Sequence, residues 1–454
     1  MAKLTFEAFR DELFAQAKAK GFTDYELYFS AGSGFSVRVF QGEIAEYKNT
    51  TTEGVGFRGT FEGKMGYSYT ENLESDLIPR ILDNAAANAG AIESAEDEQL
   101  YPGDDKYPEV VSYNPALNNT DDAQKIAWAM ELEAYAKSLD PRVTMADFCT
   151  VTNSENHMAM ANSYGLNLSQ KSNMAAGYVL ARVAENGQNK SSMEFWMGRD
   201  FADFDYKKLA DKAVKDALSF LGASSLPSGK YPILLNPDTA RNIFNVFDSV
   251  FIAERCQQGF SLLNKDKLGD VIAAPCVTLR DDGVTDLSLG SMAFDAEGVA
   301  TKNKAIIENG VLKTLLYNTK TAAIDGVKST GNASKEGYGG AIKTSTTNYY
   351  LVPGEKSYDE LVAGLEKGII ITGVAGLHSG VNPVSGDFSV SADGYYVEGG
   401  KIVKPVEQIT IAGNFYELLK NIQAVGSDLS FRSMGTGGTG MPSVLVSELS
   451  VAGE

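Results

Sequence analysis

Histidine is nearly absent from this chain: its 454 residues include His157 and His378 and no other imidazole. Metal-dependent hydrolysis needs imidazole, thiolate or carboxylate ligands that converge on one ion, and two of them usually lie on one helix. No HExxH motif occurs, and neither histidine has an acidic residue suitably spaced on a helix. A metal role for His378 would therefore need partners that the sequence does not identify, and an ordinary loop histidine is the favoured interpretation.

Cysteine is also scarce, with three residues and no CxxC spacing, which favours a reduced, cytoplasmic environment. One nucleophilic alternative exists. If Cys149 and His157 lie on neighbouring strands, as we expect, a thiolate–imidazole pair is within reach. A buried core role for the cysteine is favoured, because cysteine is among the most buried residue types.

Basic runs and long apolar runs are missing. The formal net charge is −19, so the surface repels phosphate backbones and nucleic-acid binding is disfavoured. No run approaches the roughly 20 apolar residues that span a bilayer, and the N-terminus lacks the apolar core of a signal peptide.

The chain shows no GxSxG, and the glycine-rich run at 435–443 lacks the lysine of a phosphate loop, so we expect a flexible lid or a close backbone approach there.

The pattern of apolar residues predicts an α+β protein with two domains, each a mainly antiparallel sheet packed by helices. Thr5 and Gly21 predict the two ends of a first helix, and Asn186-Gly187 predicts a tight hairpin. A Gly-, Ser- and Pro-containing linker at 222–230 is predicted to separate domain 1–222 from domain 231–454. A second-half helix over Asp238–Cys256 is apolar almost all round and is expected to be buried.

Several segments, taken together and in order, resemble the TldD/PmbA family, also called peptidase U62 or "modulator of DNA gyrase". They cover nearly the whole chain: "FSVRVFQGEIAEY", "GVGFRGTFEGKMGYSYTE", "FDAEGVATKNKAIIENGVLKTLLYNTKTA", "STGNAS", "GVNPVSGDFSVSADGYYVEGGKI", "EQITIAGN" and "PSVLVSELSVAG".

This chain departs from the metal-binding pattern of the family that it resembles. The TldD-like arm of the family carries an HExxxH helix and a downstream cysteine in a glycine-rich stretch, which together bind zinc. Here the motif would fall at Phe244–Ser249, with Phe244, Asn245 and Ser249 where ligands or the acidic residue would stand, and the downstream "MGTGGTGMPS" has no cysteine. The chain thus resembles the PmbA/TldE-like, non-catalytic arm, and we expect it to be inactive alone.

The resemblance to the non-catalytic arm also implies a partner subunit. A zinc-free subunit would pair with a TldD-like metalloprotease subunit that holds the zinc, and the pair would act on unfolded or short peptides in the cytoplasm. Its own groove could hold an extended peptide as an added strand. The alternative is a peptide-binding homodimer without a catalytic partner. The acidic composition gives no support for a direct role on DNA, whatever the gyrase name suggests.

The loop around His378 is typical of the family, and its turn residues favour a role as the wall of a peptide channel or as a subunit contact over a catalytic role. We predict peptide or partner contact for a small set in it, with structural scaffolding as the favoured role of most of its residues: His378, Asn382, Asp387 and Phe388.

Overall fold

The first half of the chain forms one antiparallel sheet covered by helices. The computed structural model describes residues 3–92, 99–433 and 437–454. The helices of this half are α1 (Phe6–Lys20), α2 (Ile78–Ala91), α3 (Asp122–Ser138) and α4 (Tyr206–Ser219). Its strands are β1 (Tyr25–Phe40), β2 (Glu43–Phe61), β3 (Lys64–Thr70), β4 (Val143–Asn162), β5 (Asn167–Glu185) and β6 (Gln188–Gly198). They lie in the order β3-β2-β1-β4-β5-β6, and every neighbouring pair is antiparallel.

The predicted local signals of this half are confirmed. The Thr5 side chain accepts a hydrogen bond from the backbone of Ala8, and Gly21 ends α1 in the left-handed conformation. The turn at Asn186-Gly187 joins β5 to β6, with Glu185 opposite Gln188. The longer helix α3 begins at Asp122, and the Asp121 side chain caps it by accepting a hydrogen bond from the backbone of Gln124.

The strands of this half are long, and two of them continue through breaks in the alternation of apolar and polar residues. The segments at 143–149 and 156–161 belong to the single strand β4, and 25–30 and 35–40 belong to β1. A bulge explains the apparent break in β4: the register shifts between Asp147 and Thr150, and Phe148 has a positive φ of 50°. A bulge bends a strand and interrupts its alternation without ending it.

The second half contains two further six-stranded sheets and one hairpin. Its helices are α5 (Pro237–Val246), α6 (Ala253–Gln257), α7 (Thr319–Asp325), α8 (Tyr358–Ala363) and α9 (Phe415–Lys420). Its strands are β7 (Gly229–Leu235), β8 (Leu279–Asp282), β9 (Asn303–Glu308), β10 (Val311–Leu312), β11 (Ala333–Lys335), β12 (Ile342–Thr344), β13 (Asn348–Leu351), β14 (Lys367–Ala375), β15 (Asp387–Glu398), β16 (Lys401–Asn414), β17 (Ile422–Val425), β18 (Ser430–Ser433), β19 (Gly438–Met441) and β20 (Val444–Ala452).

One of these sheets closes on itself. Its order is β16-β15-β14-β7-β20-β17, and β16 also pairs with β20, so five strands form a ring. The other sheet has the order β10-β9-β8-β13-β19-β18, and β11 pairs with β12 as a separate hairpin. The pairs β7–β14 and β13–β19 are parallel, and the remaining pairs are antiparallel. The α+β class with mainly antiparallel sheets is therefore confirmed, while the boundary at 222–230 stays a prediction.

The prediction of one helix over Asp238–Cys256 is wrong. Asn236 caps α5 and Pro237 begins it, but α5 ends at Val246 and a 3₁₀ turn follows at Asp248–Phe251. A second interruption, at Ile252, comes from tertiary hydrogen bonds: the amide of Ala253 donates to Leu316 at 2.9 Å, and the amide of Leu316 donates to Phe251 at 2.9 Å. These bonds hold Ile252 in an extended conformation that a helix cannot include.

The two halves pack together through the β11–β12 hairpin, which lies over the first sheet. Glycine at position 56 makes this possible, because a Cβ there would lie 2.0 Å from the carbonyl oxygen of Tyr338. Tyr28, on the opposite strand, belongs to the same apolar cluster as Ala333 and Phe294. The halves therefore share a small core of their own.

We expect Gly56→Ala to lower the free energy of unfolding by about 1–3 kcal/mol, because the added methyl group must push the hairpin off the sheet. Gly90→Ala is the matched control: it lies in α2, and its added Cβ would meet nothing within 4 Å. Denaturant unfolding measures both changes. Equal stability of the two variants would contradict the packing described here.

Candidate functional site

The three positions at which the resemblance places a metal motif lie at the end of α5 and in the turn after it. Phe244 is fully buried, and its ring meets that of Phe415 edge-on with centroids 5.4 Å apart. Asn245 is exposed, and Ser249 is half-buried. A buried phenylalanine offers no lone pair to a cation, so the first of these positions is chemically closed to a metal.

The downstream glycine-rich run does meet this helix. Thr439 in β19 donates a hydrogen bond of 2.6 Å to the side chain of Asn245. Residues 438–441 are a paired strand rather than a lid, and residues 434–436 lie outside the described residues. The expected close backbone approach is confirmed at Gly290, where a Cβ would lie 2.4 Å from the backbone of Gly437.

The residues present here do not fit a zinc ion. Across 3–92, 99–433 and 437–454, no three His, Cys, Asp or Glu side chains come together as a metal site would require. Asn245 and Thr439 bring neutral oxygens, which zinc binds poorly beside thiolate, imidazole and carboxylate.

The thiolate–imidazole alternative is wrong in its geometry. Cys149 and His157 lie on the same strand, β4, eight positions apart, which is about 25 Å along an extended chain. The two side chains are also in different surroundings. Cys149 is fully buried, and burial raises the pKa of its thiol to about 12. The His157 ring packs against Phe29 and hydrogen-bonds to the Ser169 hydroxyl at 2.8 Å, so it is not paired with Cys149.

The loop around His378 divides into exposed and buried parts. His378 is exposed in the turn between β14 and β15. The exposed Asn382 and Asp387 shape the loop: the Asn382 side chain accepts from the backbone of Val384, and Asp387 accepts from Asn414 at 2.9 Å. The hydrogen bonds from Asn414 and Ser385 lower the pKa of Asp387.

Phe388 belongs to the core instead. Its side chain is 4% exposed and packs near the ring of Phe247. A phenylalanine in this position packs under the loop in the core, and its side chain is too buried to contact a peptide or a partner. Contact through His378, Asn382 and Asp387 stays a prediction.

A cavity of about 260 Å³ lies between the two halves, beside the motif positions. Its floor is the face of the first sheet that carries Tyr28 and Ser30 on β1 and Gln170 and Ser172 on β5. Its walls come from the second half: residues 289–292, the hairpin residue Lys335, and 345–347. We call this space the central cavity.

Buried carboxylates connect the central cavity to the motif. The Thr346 hydroxyl lies 3.4 Å from a carboxylate oxygen of Asp248, inside the motif, and Thr347 donates from its backbone to Asp281 at 2.8 Å. Burial raises the pKa of Asp248 to about 6, against the weaker effects of its hydrogen bonds. The cavity wall and the motif turn therefore form one connected polar structure.

A second buried group lies at the seam between the halves. Arg58 donates to both carboxylate oxygens of Glu26, at 2.8 and 3.2 Å, and both side chains are buried. Glu297, from the second half, lies close enough for Arg58 to stabilise its charge, but burial is the larger effect and raises its pKa. Nothing in the spacing of the sequence indicates that residues 26, 58, 297 and 335 meet, since they belong to four separate segments.

The fold is α+β with mainly antiparallel sheets, and a phenylalanine, an asparagine and a serine occupy the positions at which the resemblance places a metal motif. Three domain models describe its segments as PmbA/TldA metallopeptidase domain 1, central domain and C-terminal domain, and they match residues 25–89, 115–221 and 228–453. The chain belongs to the PmbA/TldD family.

Individual relatives are similar along their whole length. A Thermotoga maritima protein described as a modulator of a DNA gyrase has a structure that is 33% identical, with a TM-score of 0.89 over 99% of this chain and 100% of its own. The metalloprotease PmbA of Escherichia coli O157:H7 is 26% identical over 444 residues, which cover 94% of this chain and 92% of that protein. TldE from Thermococcus kodakarensis is 22% identical with a TM-score of 0.89 over 98% and 100% of the two chains, which is a likeness of fold.

The helices in the described ranges are all too short or too polar to cross a lipid bilayer.

Proposed function

We propose that this chain is the non-catalytic, zinc-free subunit of a two-component cytoplasmic metalloprotease that acts on unfolded or short peptides. The observation that carries the proposal is the occupation of the motif positions by a buried phenylalanine, an asparagine bonded to Thr439, and a serine. The family is one of metallopeptidases, so a member without ligands needs another chain to hold the metal. The partner that fits is a TldD-like subunit that carries HExxxH.

The preserved geometry supports this role. In this chain the helix end and the glycine-rich strand still meet, although their contact is a neutral hydrogen bond between Asn245 and Thr439. The central cavity remains open beside them, with strand-borne side chains on its floor. A cavity of this kind can hold part of an extended peptide while the partner performs hydrolysis.

The test is to produce the chain with and without a TldD-like subunit and to assay hydrolysis of a short unfolded peptide. Activity is expected only in the co-purified pair, and it is expected to disappear when the partner's HExxxH histidines are replaced. Hydrolysis by the partner at full rate without this chain, or by this chain alone, would contradict the proposal.

A matched pair of variants sharpens the result. Asn245→Ala and Ser249→Ala in this chain are expected to leave the activity of the pair within about twofold, since neither side chain would hold a metal. A metal-binding site at these positions would instead lose several orders of magnitude.

A further inference from the structure

The lining of the central cavity has an unusual charge for this protein. The whole chain has 59 acidic and 40 basic residues, yet no carboxylate is among the described residues that line the cavity. The side chain in the lining with a formal positive charge is Lys335, at the end of β11. The cavity is therefore a local exception to an acidic surface.

The ammonium group of Lys335 is not paired with a carboxylate in the described part of the chain. Among the described residues, none forms a hydrogen bond or an ion pair with its ammonium group, which lies 4.6 Å from the centre of the Tyr28 ring. Glu26 is near, but both of its oxygens already accept from Arg58. Burial lowers the pKa of Lys335 to about 8, with added repulsion from Arg58 and an opposing attraction to Glu26. A partly desolvated cation with an aromatic ring beside it and no carboxylate paired to it is stabilised when a ligand supplies negative charge.

Hydrogen-bond donors surround the same space. The hydroxyl groups of Tyr28, Ser30 and Ser172 lie on the cavity face of the first sheet and make no hydrogen bond within the described part of the chain. Burial raises the pKa of Tyr28, so its hydroxyl keeps the proton that it can donate. One ammonium and several neutral donors match a carboxylate, which has one charge and two accepting oxygens.

We propose that the central cavity binds the carboxylate of a small organic ligand, with Lys335 as its counter-ion and the hydroxyls of Tyr28, Ser30 and Ser172 as donors. A volume of about 260 Å³ limits the ligand to an amino acid or the last residues of a short peptide. The peptide C-terminus as source rests on the proposed function, whereas the carboxylate site itself does not. A phosphate dianion fits less well, because the site has one cation and Glu26 stands behind it.

Calorimetric titration of the purified chain, without any partner, tests the site with four probes: trialanine, trialanine amide, free alanine and inorganic phosphate. Trialanine is expected to bind at least about tenfold more tightly than its amide, which lacks the anionic group. Free alanine binding as tightly as trialanine would identify an amino acid as the ligand, and weaker binding would identify the peptide terminus. Equal binding of the amide, tighter binding of phosphate, or no binding of either carboxylate at millimolar concentration would overturn the proposal.

Substitutions of Lys335 distinguish binding at the proposed site from a general effect of the protein's charge. Lys335→Met keeps the aliphatic stem and is expected to weaken trialanine binding at least about tenfold without lowering the melting temperature, because it removes a desolvated charge. Lys343→Met, an exposed lysine of the neighbouring strand β12, is the control and should bind normally. Normal binding by a folded Lys335→Met protein would contradict the assignment.

The pH dependence provides a second readout. Trialanine affinity should fall as pH rises from 7 to 9, since the amine loses its proton near its pKa of about 8. Among the described residues, the groups beside this amine are Glu26 and Tyr28 on β1 and Arg58 on β2. His157 on β4 lines the same cavity, but burial lowers its pKa, so it does not change charge between pH 7 and 9. Lys335→Arg should remove the fall, because a guanidinium stays charged throughout this range. Success of the partner assay above together with failure here would reject the carboxylate site alone.

Discussion

Replacing Phe247 with alanine is expected to lower the free energy of unfolding by about 3–5 kcal/mol. The Phe247 ring is fully buried and stacks on that of Phe415, with centroids 4.5 Å apart and an angle of 11° between the planes. The Phe247 ring also lies near that of Phe388, which belongs to β15 in the sheet that closes into a ring. Its removal leaves a cavity that three separate segments cannot close together, because their backbones are fixed by strand and helix hydrogen bonds.

Phe260→Ala is the matched control for this change. Phe260 is 45% exposed and has its ring beside the guanidinium of Arg255, so its loss should cost less than about 1 kcal/mol. Guanidinium chloride unfolding, followed by tryptophan fluorescence and circular dichroism, measures both variants. A loss below 1 kcal/mol for Phe247→Ala would show that the aromatic cluster does not hold the motif region together.

Arg58→Met is expected to destabilise the chain by about 3–5 kcal/mol, because it leaves the Glu26 carboxylate buried without its partner. Arg58 is 5% exposed and Glu26 is 2% exposed, so water cannot replace the lost hydrogen bonds. The pair also stands at the seam with Glu297 from the second half. Its loss should therefore loosen the packing between the halves as well as the first sheet.

The double variant Glu26→Leu with Arg58→Met distinguishes the cost of an unpaired buried charge from the cost of lost side-chain packing. Replacing both partners removes the unpaired charge, and most of the stability should return. Lys230→Met is the surface control: its partner Glu448 is 50% exposed, and exposed ion pairs contribute less than about 1 kcal/mol. A double variant that is as unstable as Arg58→Met would contradict a desolvation penalty as the cause.

Local features of the fold could be predicted from the sequence because they depend on neighbouring residues. The cap at Thr5, the turn at Asn186-Gly187 and the turn at Gly399-Gly400 between β15 and β16 all follow from backbone preferences of a few residues. The interruption of the helical segment at Ile252 could not be predicted, because the hydrogen bonds that hold this residue extended come from residue 316. Closure of the sheet by β16 and β20 depends on equally distant residues.

The candidate site divides in the same way. Its motif positions stay a prediction from the order of the matching segments, and the structure places one of them, Asn245, in hydrogen-bond contact with Thr439 of the glycine-rich run. The central cavity could not be predicted, because a lysine at 335, a tyrosine at 28 and a threonine at 346 share no spacing. The burial of Phe388 could not be predicted, because the composition of a loop does not reveal that one of its side chains turns into the core.

The most direct test of the account is the zinc content of the isolated chain after exposure to zinc and extensive dialysis, measured by mass spectrometry. We predict well below one zinc per chain, because Phe244, Asn245 and Ser249 do not provide a ligand set. One tightly held zinc per chain, located between its own side chains by anomalous scattering, would contradict the account.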